Sequence, residues 1–242
     1  IEVFFFCSMC ICYSGQCRFS SLIGERSGNR GKCAQPCRLP YTLYKNDKKL
    51  SQKYFLSPKD LCGLEQLPDL INMGVASLKI EGRLKDRDYV TNIVAYYRQL
   101  IDQIIANDPN LQQASTPSIQ TYNFTPNPAK TFHRGQTDYF LHKRTPHMAN
   151  WDTPKSTGEK IGKVIALRKD AICVQLQPNI TLHNGDGVCF GDKGFAINRV
   201  DGEWIYPNII SDNRYPLSDD RLPKVGTILY RNLDTEFLRS LQ

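Results

Sequence analysis

Four of the nine cysteines, Cys10, Cys17, Cys33 and Cys37, follow the spacing C-x6-C-x15-C-x3-C in a stretch crowded with glycine and arginine. So dense a set of thiols constrains the fold locally, because thiolates from a loop can converge on a metal centre that replaces a missing hydrophobic core. The spacing is neither the paired C-x2-C of a zinc ribbon nor the C-x2-C-x2-C run of a bacterial ferredoxin. An iron–sulfur cluster and a zinc ion are both compatible with it. Disulfides are the weaker reading: the count is odd, the thiols cluster, and the apolar start Ile1 to Tyr13 lacks the basic region and cleavage site of a secretory signal. Cys7 and Cys12 flank Cys10 as spare thiols. Cys62, in Ser57-Pro58-Lys59-Asp60-Leu61-Cys62, is the substitute ligand should Cys37 not bind. Cys173 and Cys189 sit in strand-like runs and read as small buried hydrophobes.

The charge around these cysteines is one-sided. Between Arg18 and Lys59 ten Lys or Arg face two acids, Glu25 and Asp47, in a chain whose net charge is +7. A cluster held by four thiolates itself carries roughly −2, so part of this excess can balance it. The remainder is available for phosphate, and the mixture of Arg38, Tyr41, Tyr44 and Lys45 suits single-stranded or looped RNA, where bases stack on rings and backbones meet cations. Against this, a basic loop is commonly just a solvated face. No apolar stretch is long enough for a membrane span, and nothing points to DNA or a membrane as partner. The chain opens directly in a strand-like run, Ile1 to Phe6, which predicts that it is the C-terminal part of a longer protein.

Periodicity divides the chain in two. In residues 1–108, Ile1 to Phe6 reads as a buried strand and Leu64 to Asn72 as a helix stopped by Met73-Gly74. Val75 to Ile80 reads as a second strand, and Asp86 to Asn107 as a long helix with apolar positions at Val90, Ile93, Val94, Tyr97, Ile101 and Ile104. This alternation predicts the C-terminal part of a (β/α)8 (TIM-like) barrel carrying the four-cysteine loop. Glu81-Gly82-Arg83 follows the second strand, at the end where barrel enzymes keep their chemistry, so Glu81 and Arg83 are candidate catalytic residues; an ion pair capping the strand is the structural alternative. Residues 109–121 read as a linker. In residues 122–242, short runs at 161–166, 171–176, 187–190, 194–200, 204–207 and 227–230, broken by Asn-Gly, Asp-Gly and Gly-Asp turns, predict a small antiparallel β-barrel or sandwich. His133 within Thr131-Phe132-His133-Arg134-Gly135 and the following Asp138-Tyr139-Phe140 form the one dense polar-aromatic motif there, read as a structural turn.

Three ordered stretches carry a family resemblance: Cys10-Ile11-Cys12-Tyr13-Ser14-Gly15-Gln16-Cys17, Arg26-Ser27-Gly28-Asn29-Arg30-Gly31-Lys32-Cys33-Ala34-Gln35-Pro36-Cys37-Arg38, and Ser77-Leu78-Lys79-Ile80-Glu81-Gly82-Arg83. Together they resemble the collagenase-like peptidase family U32. Asp86 through Asp102 and Lys130 to Phe140 resemble in particular its branch of ribosomal-RNA hydroxylases that form 5-hydroxycytidine. The resemblance implies a cytoplasmic RNA-modifying enzyme, a 4Fe–4S cluster on Cys10, Cys17, Cys33 and Cys37, prephenate as cosubstrate, ribosomal RNA as partner, and an N-terminal half of the barrel lying outside this chain. At Phe6-Cys7 the chain departs from relatives that commonly carry a His-Gly pair.

Within that frame, Arg30, Arg38 and Tyr41 are the candidate substrate-binding residues, with Arg83 meeting phosphate or an acidic cosubstrate. Glu2 and Glu81 are candidates to orient substrate or move protons. Proteolysis is the alternative activity, yet no H-E-x-x-H motif occurs and His133, His142, His147 and His183 all lie in the distal half. A non-catalytic RNA-binding module is the third reading.

Overall fold

The computed structural model describes residues 1–13, 16–82, 85–111, 122–208 and 222–242. The expected linker falls, from residue 112 on, outside the described residues. The chain forms two compact units, Ile1–Glu81 with His133–Ser156, and Gly82–Phe132 with Thr157–Gln242.

In the first unit the expected opening strand is β1 (Glu2–Ser8), with Phe5 and Phe6 buried. The cysteine-bearing stretch after it contains α1 (Phe19–Gly24) and single 3-10 turns at Gly28–Arg30 and Pro36–Arg38. A hairpin follows, β2 (Tyr41–Lys45) and β3 (Lys48–Lys53). Its turn residues Asn46 and Asp47 have φ of 48° and 60°, the double positive φ that a tight two-residue hairpin demands and that Asn and Asp tolerate. Then come β4 (Asp60–Cys62), α2 (Leu67–Asn72) and β5 (Ser77–Ile80). Gly74, at φ 76°, ends α2 where the sequence predicts the stop.

These strands form one mixed sheet in the order β5-β1-β4-β6, where β6 is Gln136–Thr137. β1 runs parallel to β5, with Glu2 opposite Ser77 and Phe4 opposite Lys79. It runs antiparallel to β4, with Phe6 opposite Cys62 and Ser8 opposite Asp60. β1 and β5 run parallel, but α1, the hairpin, antiparallel β4 and α2 all lie between them in the chain, so the described residues form a mixed α/β sheet and not a run of (β/α)8 repeats.

The second unit opens with α3 (Arg87–Asn107), capped by Asp86, whose carboxylate accepts the Tyr89 N–H at 2.8 Å. Ile93 and Tyr97 are buried as predicted, but Val90 and Val94 are 40% and 47% exposed. The buried face shifts to include Tyr89 and Asn92. Asn92 can be buried because its amide is satisfied: Nδ2 donates to the Asn127 carbonyl (2.7 Å) and Thr131 Oγ1 (3.1 Å), and Oδ1 accepts the Asn127 N–H (2.8 Å).

Six strands then close a barrel: β7 (Glu159–Leu167), β8 (Ile172–Leu176), β9 (Gly187–Phe190), β10 (Lys193–Asp201), β11 (Trp204–Pro207) and β12 (Ile228–Leu233). The order around it is β10-β11-β8-β7-β12-β9, antiparallel at every seam, which decides the barrel-or-sandwich alternative for a barrel. Closure removes the exposed edges that six short strands would otherwise present. Ile161, Val164, Ile172, Val174, Ile197 and Leu229 fill the interior. Where β7 approaches β8, a Cβ at Gly162 would lie 2.3 Å from the Gln175 carbonyl oxygen, so only glycine fits. A last helix, α4 (Thr235–Ser240), is capped by Asp234. Among the described residues no helix is long and apolar enough to cross a membrane.

Candidate cysteine site

Cys10 leaves the sheet two residues past the C-terminal end of β1. Glu81 leaves at the same end of β5, its N–H donating to the Phe6 carbonyl at 2.8 Å. All nine cysteines are free thiols, with Cys10 and Cys33 exposed and Cys12, Cys17 and Cys37 half-buried. Their electrostatics show that they share a neighbourhood. Burial pushes the Cys37 thiol up, the Cys10 and Cys33 thiols push it further, and the Arg38 guanidinium opposes them. Cys12 is likewise pushed up, by desolvation and then by Cys17, with Cys10 adding to it. Cys33 Sγ accepts the Gln35 N–H at 3.3 Å.

Three ties hold this segment in shape. Buried Ser20 on α1 accepts the Ala34 N–H at 2.9 Å, anchoring the residue after Cys33. The Tyr41 hydroxyl donates to the Pro36 carbonyl at 2.9 Å while its ring stacks on Phe19 with centroids 6.0 Å apart. Arg38 is the third tie: its guanidinium donates to Ser57 Oγ (2.9 Å), to the Pro58 carbonyl, and to the Met9 carbonyl (2.8 Å). The neighbour of Cys37 thereby grips the neighbour of Cys10. Asp60, 4% exposed, extends this polar network. One carboxylate oxygen accepts the Arg134 N–H at 2.9 Å and the other pairs with the Arg134 guanidinium at 3.7 Å. Arg134 also donates to the Pro154 carbonyl (2.9 Å) and Ser8 Oγ (3.4 Å). Sequence reasoning missed Ser57, Asp60 and Arg134 as parts of the site. Asp60 and Arg134 were in view, as charged residues within Ser57-Pro58-Lys59-Asp60 and His133-Arg134-Gly135, but their pairing spans 74 residues.

The structure distributes the other candidates unevenly. Glu81 is brought to the cysteine end, where it and Asp60, after burial, push the Cys7 thiol up to about 11. Glu2 is not: it sits at the start of β1, about 20 Å of strand away from Ser8. There it is exposed, accepts from Ser77 Oγ at 2.9 Å and pairs with Lys79 at 3.3 Å, contacts that lower its pKa. Arg30 is exposed at the end of its 3-10 turn. Arg38 and Tyr41 turn their polar atoms inward, and burial followed by the Cys37 thiol pushes the Tyr41 phenol up. Cys62 pairs with Phe6, two residues further from the loop than Ser8. Cys173 and Cys189 are buried in the barrel as predicted. His133 belongs to the first unit, buried, with Nδ1 accepting the Gly135 N–H at 3.2 Å. Arg83 lies outside the described residues.

Among the described residues, the one set of three metal-donor atoms within 4.8 Å of one another is His183, Asp186 and Asp234. Cations of the protein already occupy it. Arg231 pairs with Glu159 (2.7 Å), Asp186 (3.2 Å) and Asp234 (2.8 Å), and Lys130 with Asp234 (2.8 Å). This is an ion-pair network that closes the barrel.

Residues 1–150 match the family described as Peptidase family U32. A 23S rRNA 5-hydroxycytidine C2501 synthase of Escherichia coli is 38% identical over 253 residues, covering 100% of this chain and 37% of the relative. The tRNA hydroxylation protein P1 of Bacillus subtilis is 34% identical over 200 residues, 78% of this chain and 46% of the relative. A collagenase of Porphyromonas gingivalis is 36% identical over 106 residues, 42% of this chain and 26% of the relative. The chain thus spans less than half the length of each of these relatives. No solved structure matches it. With the cysteine segment, Asp60, Glu81 and Arg134 all inside the matched region, the chain belongs to peptidase family U32.

Proposed function

We propose that this chain carries the cysteine site of an RNA-base hydroxylase that acts at pyrimidine C5 in ribosomal RNA, forming 5-hydroxycytidine with prephenate as cosubstrate. The observation that carries the reading is the extent of likeness: the rRNA hydroxycytidine synthase aligns over 100% of the chain, β-barrel included, whereas the collagenase aligns over 42%. We read the first unit as the C-terminal part of a (β/α)8 barrel, since its thiols and Glu81 gather at the C-terminal ends of parallel strands, where such barrels keep their chemistry. A ribosomal-RNA substrate fits a cytoplasmic protein.

Cys10, Cys17, Cys33 and Cys37 are the residues that would hold a 4Fe–4S cluster. One feature supports the fit. Cys37 feels the charge of Cys10 and Cys33, so that thiolates there raise the cost of ionising Cys37, a burden that bound cationic iron relieves. When bound, the cluster supplies one-electron redox chemistry at a potential set in part by hydrogen bonds to its sulfurs. The Gln35 N–H, already directed at Cys33 Sγ, is such a bond. Arg38 fixes the loop ends, exposed Arg30 meets phosphate or the cosubstrate's carboxylates, and Glu81 holds or moves a proton beside the cysteine loop.

The peptidase reading rests on the family name and the collagenase relatives. Cys7, Cys12 and Cys37 are poor candidates for a protease nucleophile, since each is pushed up, away from the thiolate such a nucleophile needs. The test is anaerobic reconstitution of the protein and of Cys→Ala variants at positions 10, 17, 33 and 37, followed by iron, sulfide and nucleoside analysis. About four irons and four sulfides in the parent, lost in each variant together with 5-hydroxycytidine formation, are expected. No iron after reconstitution, or gelatin cleavage abolished by the same variants, refutes the reading.

A further inference from the structure

The β2–β3 hairpin is a two-stranded sheet of its own, paired with no other strand among the described residues. Such a ribbon is marginal in water unless something packs on it. Its base is held: Tyr41 by Pro36 and Phe19, and Lys53 by Asp152 (3.7 Å) and the Trp151 ring (5.9 Å). Beyond the base, every residue from Leu43 to Leu50 is exposed. Leu43, Tyr44 and Leu50 are 48%, 59% and 52% exposed. Among the described residues Lys45, Lys48 and Lys49 have no ion-pair partner, and Asp47 is the single acid of the tip. The register puts Tyr44 opposite Lys49, so ring and ammonium share one face, and Lys45 opposite Lys48 on the other.

We propose that this hairpin is an arm that grips the substrate RNA, with Tyr44 stacking on an unpaired base and Lys45, Lys48 and Lys49 meeting backbone phosphates. The proposal rests on the RNA-hydroxylase reading and names the part that holds the nucleic acid. An aromatic ring flanked by unpaired cations is the combination that binds single-stranded RNA, since every base offers a face and every nucleotide a charge. Location supports it. Tyr41 at the base of the arm lies beside Cys37, close enough to feel its charge, and β2 carries the tip about 13 Å outward from there. RNA lying along the arm is therefore led to the cysteine loop. Arg38 and Tyr41, with their polar atoms turned inward, leave this contact to the tip.

The test compares the reconstituted protein with its K45A/K48A/K49A and Y44A variants, measuring binding to a single-stranded RNA oligonucleotide and an rRNA stem-loop transcript across a salt series. Three lost phosphate contacts reduce the slope of log K against log salt by about two and weaken binding at 0.1 M salt about a hundred-fold. Losing the stacked base weakens it about ten-fold and leaves the slope unchanged. Iron content and melting temperature stay at parental values in both variants. Parental RNA affinity in both variants overturns the arm, as does hairpin-dependent binding to anionic vesicles in place of RNA. The two failures are separable. Hairpin-dependent binding without any 5-hydroxycytidine refutes the hydroxylase and keeps the arm; cysteine-dependent hydroxylation with hairpin-independent binding does the reverse.

Discussion

Replacing Arg38 with methionine keeps an unbranched apolar stem and removes every donor. Three bonds are lost, to Ser57 Oγ, the Pro58 carbonyl and the Met9 carbonyl. Hydrogen bonds from a charged donor contribute about 1.5–3 kcal/mol each, so the gross loss is at least ~5 kcal/mol. Two effects reduce it. Burial, then the nearby Arg134 guanidinium, already disfavour the Arg38 charge, and methionine recovers part of the packing. A net cost of roughly 2–4 kcal/mol remains, which raises the population of the opened loop about thirty- to several-hundred-fold. Hydrogen–deuterium exchange reads this directly. The Arg38 and Leu39 amides, bonded to Gln35 and Pro36, and the Lys59 and Asp60 amides, bonded to Met148 and Gly135, should lose protection by about that factor, while barrel amides keep theirs. Arg38→Lys, a single ammonium in place of a planar fork, should recover at most the two bonds that one nitrogen, Nη1, makes to Ser57 and Pro58, and not the one from Nη2 to Met9 as well. Parental exchange at these four amides in Arg38→Met would show that the arginine is not what ties the two cysteine ends together.

In the second unit, Arg231→Met strands three acceptors, Glu159, Asp186 and Asp234, with Lys130 as the remaining cation; the expected cost is about 3–5 kcal/mol, read as a fall of roughly 10 °C in the barrel's melting transition. An unchanged transition refutes the network. Acid should act on the same group. Burial works against the Asp234 carboxylate, but Lys130, the Phe237 N–H and Arg231 overcome it and hold its pKa below the usual range. Its stabilisation is therefore complete above the unfolded value of about 3.9 and is lost as pH falls through the lowered native one. Asp234→Asn should be less stable than the parent at neutral pH, and the gap should close in acid; a gap that widens on acidification contradicts the assignment.

Much of the fold was legible because it is local. α3 announces itself through its cap at Asp86, α2 through Met73-Gly74, and the barrel strands through turn residues at regular intervals. Each of those signals acts within a few residues of the structure it fixes. What escaped were pairings between distant segments. β6 is two residues long and exists because β4 offers it a parallel edge, and the Asp60–Arg134 pair depends on that return. The β2–β3 hairpin escaped for another reason: its strands are polar and exposed on both faces, so no alternation marks them, and only the Asn46-Asp47 turn could have given it away. Val90 and Val94 fit a helical stripe and are nonetheless exposed, since Asn92 could be buried once Asn127 and Thr131 satisfied it. Cys10 follows β1 directly, as the sequence order requires, whereas Glu2, named for its place in a strand beside the cysteines, lies at that strand's other end.

The basic excess between Arg18 and Lys59 shows why counting charge is weaker than locating it. From sequence it is one pool, shared between cluster and phosphate. In the fold it separates by what each cation's donors already touch. Arg38 binds two carbonyls and a hydroxyl, and a guanidinium that closes a loop cannot offer the same N–H groups to a ligand. Arg30, on the exposed turn before Cys33, and Lys45, Lys48 and Lys49, on the hairpin tip, keep theirs for solvent or RNA. The tie and the grip therefore fail in different ways. Loss of Arg38 loosens the thiols and leaves the phosphate-binding charge in place, while loss of the tip lysines removes that charge and leaves the thiols where they are.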